Sequence, residues 1–152
     1  MREMGDEDIA PSAFEAPEPV GIYEPFVASG RLLALSAISS ARDGRLITGK
    51  VGRDLDLASG QAAARRAAEN LLAVLLRAVG GDPSRVEQIL FVRGYVNADE
   101  DFPFVHKVID AASEVIIAKL GNRGRHARTA LGCATLPNNN AVTIDAIAVI
   151  AE

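Results

Sequence analysis

The spacing of apolar residues changes along the 152-residue chain, and the changes mark its elements. From about Ala58 to Val79 apolar side chains recur at steps of three and four. Ala64, Ala68, Leu71, Leu72, Leu75 and Val79 form one stripe, with Arg65, Arg66, Glu69 and Arg77 off it. That period predicts an amphipathic helix. Gly80-Gly81 and Pro83 stop it. A second stripe, Val105, Val108, Ile109, Ala112, Ile116 and Leu120, predicts another helix. Asp101 is its expected N-cap, Pro103 lies in the expected first turn, and Gly121-Asn122 closes it.

The remaining apolar runs read as strands. Val20–Val27 is a short edge strand limited by Pro25. Arg31–Ile38 is apolar on both faces. Asp43-Gly44 is a tight-turn signal, with Leu46-Ile47-Thr48 as the return strand. Val86–Asn97 carries the consecutive run Ile89-Leu90-Phe91-Val92 and reads as buried. Two last strands, Ala127–Thr135 and Ala141–Ala151, flank the turn Leu136-Pro137-Asn138-Asn139-Asn140. The predicted order is β-β-β-α-β-α-β-β, an α+β fold with two helices on one face of a mixed sheet. On the final strand Val142, Ile144, Ala146, Ala148 and Ile150 share one face. Thr143, Asp145, Ile147 and Val149 share the other. Both faces are largely apolar, so the face away from the helices is expected to meet another subunit.

Composition sharpens this picture. Apolar residues make up 49% and charged residues 24%, which suits one packed domain. Residues 1–16, acidic and proline-containing, are expected to form an N-terminal arm, and 17–152 a single domain. The net charge of −4 weighs against broad nucleic-acid binding, which needs a basic face. The lack of Trp and the few aromatics weigh against base stacking. One cysteine, Cys133, excludes an internal disulfide and fits a reducing, cytoplasmic setting. No apolar run approaches the ~20 residues that span a bilayer. The first residues lack the apolar core of a secretory signal.

The basic loop before the last two strands carries the candidate chemistry. Arg128 can present a two-pronged donor to a carboxylate. By alternation it shares a face with Ala130, Gly132 and Ala134, whose small side chains leave room for a ligand. A solvated arginine at a strand end is the competing reading. His126 either moves protons or hydrogen-bonds, and His106 reads as a surface residue. With these two histidines and one cysteine no metal-ligand spacing is present, so no metal is expected, and no phosphate loop or Rossmann fingerprint is present. Cys133, in apolar company, reads as a core thiol and not a nucleophile.

The run Arg125-His126-Ala127-Arg128-Thr129-Ala130-Leu131-Gly132-Cys133-Ala134-Thr135-Leu136-Pro137, followed by Val142-Thr143-Ile144-Asp145-Ala146-Ile147-Ala148-Val149, resembles the C-terminal signature of the RidA/YjgF family. Gly21-Ile22-Tyr23 and Leu35-Ser36 resemble its N-terminal signature. Gly49–Gly52, Gly94–Asn97 and Gly124–Arg128 resemble its longer subgroup, labelled endoribonuclease L-PSP or chorismate-mutase-like. The resemblance covers about residues 17–151.

It implies the chorismate-mutase-like (YjgF) fold and a homotrimer with ligand clefts between subunits. It also implies cofactor-free hydrolysis of 2-imino or enamine acids, a deaminase activity. Arg128 falls on the arginine that grips the substrate carboxylate, and Tyr23 and Ser36 fall on cleft positions. Thr143 falls where the family has a water-positioning glutamate, and Asp145 falls two residues on. A threonine hydroxyl can hold a water but is no general base near neutral pH. The expected function is therefore a RidA-like hydrolase of a small carboxylate. A non-catalytic ligand-binding or regulatory trimer is the alternative, and ribonuclease action comes third.

Overall fold

The alanine-rich stretch folds as helix α1, Leu57–Ala78. In the computed structural model, which describes residues 15–152, Asp56 caps it by accepting a hydrogen bond from the Ser59 amide at 2.8 Å. Ala63, Ala64, Ala67, Ala68, Leu71, Val74 and Leu75 form its buried stripe. Methyl-sized side chains let the helix lie close to its neighbours. Gly80 and Gly81, both at positive φ, turn the chain out of it.

The strands are β1 (Phe26–Ser29), β2 (Leu32–Ser39), β3 (Val86–Asn97), β4 (Ala127–Cys133) and β5 (Val142–Ile150), and helix α2 spans Val105–Leu120. They form one sheet in the order β1-β2-β5-β3-β4. β5 is central and antiparallel to both β2 and β3. β3 and β4, joined through α2, run parallel.

Both helices cover one face. Leu33, Leu35, Ile89, Val92, Val96, Ile144, Ala146 and Ala148 point into that core. Helix α2 rests directly on β3. A Cβ added to Gly94 would lie 2.5 Å from Ile109 Cδ1, so the helix sits where only glycine leaves space. The opposite face is open. It carries Val27, Leu32, Leu131 and Ile147, between 39% and 59% exposed.

The α+β class, the helices on one face and the strand Val86–Asn97 are as expected from the sequence. Details differ. The N-terminal arm lies outside the described residues apart from Glu15 and Ala16, and Ala16 packs against the core. The first strand begins at Phe26, because Pro25 ends the irregular segment before it.

Leu46–Thr48 is not a strand. Asp43 and Gly44 do make the expected tight turn, with φ of 53° and 73° and paired Arg42–Arg45 backbone bonds of 2.9 and 3.0 Å. The return segment has no free edge to join, however, since β1 and β5 flank β2 on both sides. It docks instead on the turn before β5, where the Ala141 amide donates to the Ile47 carbonyl and Thr48 bridges Asn140.

Helix α2 starts at Val105 and not near Asp101. Pro103 disfavours a helical conformation at Phe102, and the Phe102 amide closes a turn onto the Asp99 carbonyl at 3.0 Å.

Candidate functional site

Tyr23, Ser36 and Thr143 are distant in sequence and line one cavity of about 310 Å³. The segment 17–25 forms one wall, the C-terminal half of β2 a second, and the Pro137–Asn140 turn with the start of β5 a third. Local irregularities open it. The pairing of β2 with β5 slips between Leu35 and Ile38. Within that slip the Ser36 amide donates to the Pro25 carbonyl at 3.0 Å, and its hydroxyl donates to the Glu24 carbonyl at 2.6 Å. Across the cavity Asn138 and Asn139 both take the left-handed conformation, which asparagine tolerates better than most residues. Thr143 sits on the open face of the sheet, opposite Ser39 on one side and Tyr95 on the other.

Arg128 lies elsewhere. It pairs in register with fully buried Val92 and projects to the helix-covered face. One terminal nitrogen donates to Asp110 Oδ1 at 2.8 Å and to Ser113 Oγ at 3.2 Å. The other donates to the His106 carbonyl at 3.3 Å. Val105 of α2 packs beside Gly132, its Cγ1 3.4 Å from where a Cβ would stand, while Gly132 and Ala134 line a second cavity. Alternation placed the small neighbours correctly and they do border open space, but Arg128 turns to α2 and is not among the residues lining it. Arg128 is two strands from β5 and three residues out of register with Thr143. At ~4.8 Å per strand and ~3.3 Å per residue, the two backbones are roughly 14 Å apart. Within one protomer they cannot grip the same small molecule.

His126 completes a chain that starts at Arg128. Ser113 Oγ accepts from Arg128 and lies 3.0 Å from His126 Nε2, and His126 Nδ1 lies 2.6 Å from the Gly124 carbonyl. The carbonyl fixes the proton on Nδ1, so Nε2 accepts from Ser113. Burial pushes the imidazole pKa down, the Gly124 carbonyl opposes this, and the Arg128 charge adds to it. The ring is neutral and structural in this setting. His106 stacks obliquely near Phe104 at the start of α2. Cys133 is only half-buried, not in the core, and lines a second cavity of about 580 Å³ with Lys50 and Glu100.

On the open face Asp145 is already engaged. Arg93 Nε donates to one carboxylate oxygen at 2.8 Å and the Tyr95 hydroxyl to the other at 3.2 Å. Burial first, then the Asp145 charge, raises the Tyr95 phenol above its usual pKa. Sequence reasoning passed over Arg93 and Tyr95. Two-residue alternation along β3 was the signal that puts them beside Asp145 and Thr143. Among the described residues no three His, Cys, Asp or Glu side chains cluster as metal ligands. Among the same residues no helix is long and apolar enough to cross a membrane.

Fold and cavity together define a small α+β domain with a cavity, lined in part by the hydroxyl side chains of Tyr23, Ser36 and Thr143, beside a bulged strand. The chain belongs to the family described as "YjgF/chorismate mutase-like, putative endoribonuclease", whose model matches residues 9–150. It is 36% identical over 134 residues to Protein TCP17 of Trypanosoma cruzi, covering 87% of this chain and 83% of that protein. Among solved structures it is similar to the protein Atu1372 of Agrobacterium tumefaciens, described as of unknown function. The identity is 43% and the TM-score 0.85, over 89% of this chain and 87% of the other. It is also similar to the YjgF gene product of E. coli, with 25% identity and a TM-score of 0.63 over 89% and 93%.

Proposed function

We propose that this protein is a homotrimeric hydrolase of reactive 2-imino acids, working without cofactor in clefts between subunits. The observation that carries the reading is the convergence of Tyr23, Ser36 and Thr143 on one cavity. These are the cleft positions that the family resemblance implies. The separation of Arg128 from that cavity is consistent with a shared site, in which the arginine of a neighbouring copy holds the carboxylate. β4, which carries Arg128, is an edge strand that a neighbouring copy can approach, and gripping a carboxylate there requires the guanidinium to exchange its Asp110 and Ser113 partners for the ligand.

In the proposed reaction, water adds to C2 of the protonated imine. The carbinolamine then expels ammonia, leaving a 2-oxo acid and ammonium. The iminium carbon is already electrophilic, so holding a water against it supplies much of the acceleration. The Thr143 hydroxyl can orient that water, and the bound carboxylate fixes the carbon in front of it.

A second reading, a ligand-binding trimer without turnover, draws on Asp145. The carboxylate nearest to Thr143 along that strand face has both oxygens occupied by Arg93 and Tyr95. It is therefore poorly placed to take a proton from water.

One experiment separates the readings. 2-Iminobutyrate is generated in situ by an amino-acid oxidase, and 2-oxobutyrate release is followed with the native protein and with Arg128→Ala. The hydrolase reading expects acceleration over buffer that Arg128→Ala abolishes. Absence of acceleration refutes it, and acceleration that survives the substitution places the site elsewhere. Light scattering should give about three times the 16.0 kDa chain mass, and a monomer would refute the shared cleft.

A further inference from the structure

One wall of the first cavity is held from outside it. Asn138 and Asn140 line that cavity, on the turn that follows Pro137. Asn138 and Asn139 take φ of 57° and 56°, a left-handed conformation that residues with a side chain disfavour, so the surrounding bonds must keep them there. Lys50, which lines the second cavity and not the first, supplies those bonds. Its Nζ donates to the Ala134 carbonyl, just before the turn, and to Asn97 Oδ1 at 2.9 Å. An ammonium only donates, so it fixes which end of the Asn97 amide faces it. Asn97 Nδ2 is then turned the other way and donates to Asn139 Oδ1 at 3.1 Å. Asn97 is only 1% exposed, so water does not stand in for either partner. The backbone follows the same path. The Gly49 amide donates to the Asn139 carbonyl at 2.9 Å, and the Val51 amide donates to the Asn97 carbonyl at 2.8 Å. Lys50 thus ties both ends of segment 134–139, once directly and once through Asn97.

We propose that Lys50 and Asn97 are positioning residues for the cavity, setting the place of Asn138 and Asn140 without touching the ligand. The inference rests on the first cavity being the ligand site proposed above. The charge matters, because a hydrogen bond from an ammonium is stronger than one from a neutral group. With an uncharged, non-donating side chain at position 50, nothing keeps Oδ1 of Asn97 turned away from Asn139. Once the amide turns over, two acceptor oxygens face each other and the turn loses its tie.

The test follows amide hydrogen exchange by NMR in the full-length protein, native and with Lys50→Met. The amides of Gly49, Asn139 and Asn140, which bond to the turn or within it, should exchange at least about tenfold faster in the variant. The buried Leu71 and Val74 of α1 should keep their native rates, which separates a loosened wall from a loss of global stability. Lys50→Arg should restore most of the protection. Unchanged exchange at the three amides, or equal acceleration throughout the chain, overturns the inference. If Lys50→Met fails to fold, the native protein decides. Its Asn97 side-chain amide protons should exchange far more slowly than those of exposed Asn122, and equal rates overturn the inference. Where 2-iminobutyrate is turned over, kcat/KM should fall at least about tenfold in Lys50→Met and recover in Lys50→Arg. Turnover unchanged beside a loosened turn also overturns it. If the native protein turns over no imine, the hydrolase reading falls, and the exchange rates alone decide whether Lys50 positions the wall.

Discussion

Replacing Thr143 by glutamate puts a carboxylate at the edge of the cavity, where the resemblance to RidA-type proteins expects one. The position is half-buried and already faces Tyr95 and Ser39 across the strand pairs. Asp145 shares that face about 7 Å along the strand. Two charges at that distance repel by about 1–2 kcal/mol at an effective dielectric of roughly 20–40. That raises the new carboxyl by roughly one unit from its usual value near 4.3, and the Arg93 guanidinium beside Asp145 offsets part of it. The glutamate therefore remains ionised at neutral pH and can accept a proton from the attacking water.

General-base catalysis contributes about 10²–10⁴ where the base is optimally placed. An unoptimised base should give a gain of about ten- to a hundredfold in kcat/KM. The assay is 2-oxobutyrate release from 2-iminobutyrate generated in situ. Thr143→Gln is the control, since it can hold a water but cannot take its proton. A gain in the glutamine protein equal to that in the glutamate protein would refute the base argument. No gain in a folded Thr143→Glu protein would show that this position is not where water meets the substrate.

Two further predictions concern the frame around the site. His126 titrates below the usual imidazole value of about 6.5 in the folded state, so the unfolded chain binds more protons in that window. Its contribution to stability is complete above about pH 6.5 and is lost as pH falls towards the folded-state pKa. Urea midpoints of the native protein and of His126→Gln at pH 7.5 and 5.5 should therefore differ in pH dependence, with the variant flatter, and equal slopes would contradict the burial argument. Gly94→Ala should cost about 1–3 kcal/mol in urea unfolding, because its Cβ would meet Ile109 at 2.5 Å. Ile109→Val in the same chain should recover part of that loss, and a cost under about 0.5 kcal/mol would mean that Gly94 does not set the spacing of helix and sheet.

What could be read from the sequence was what depends on local period. The stripe from Ala58 to Val79 predicts α1 to within a residue at each end, because its alanine and leucine spacing is regular and Gly80-Gly81 and Pro83 stop it. β3 spans the stretch Val86–Asn97 that reads as a strand around the run Ile89–Val92. Misreadings arose where a non-local neighbour decided the outcome. Leu46–Thr48 looks extended, but the edges of β2 are already taken. Arg128 has small neighbours, but it turns to α2, which supplies Asp110 and Ser113. Asp145 looks like a spare carboxylate until the register of β3 brings Arg93 and Tyr95 to it.

The central place of β5 bears on how the chain acquires its structure. As the polypeptide is made, the hairpin β1–β2 and the unit β3–α2–β4 emerge first, and they are not neighbours in the sheet. Each keeps a long apolar edge unpaired until residues 142–150 arrive to lie between them. Until then those edges are open to pairing with other chains. Thr143 and Asn140, at the threshold of β5, are thus assembled in the same step that closes the sheet. The cavity comes into being only when the last gap in the protein is filled.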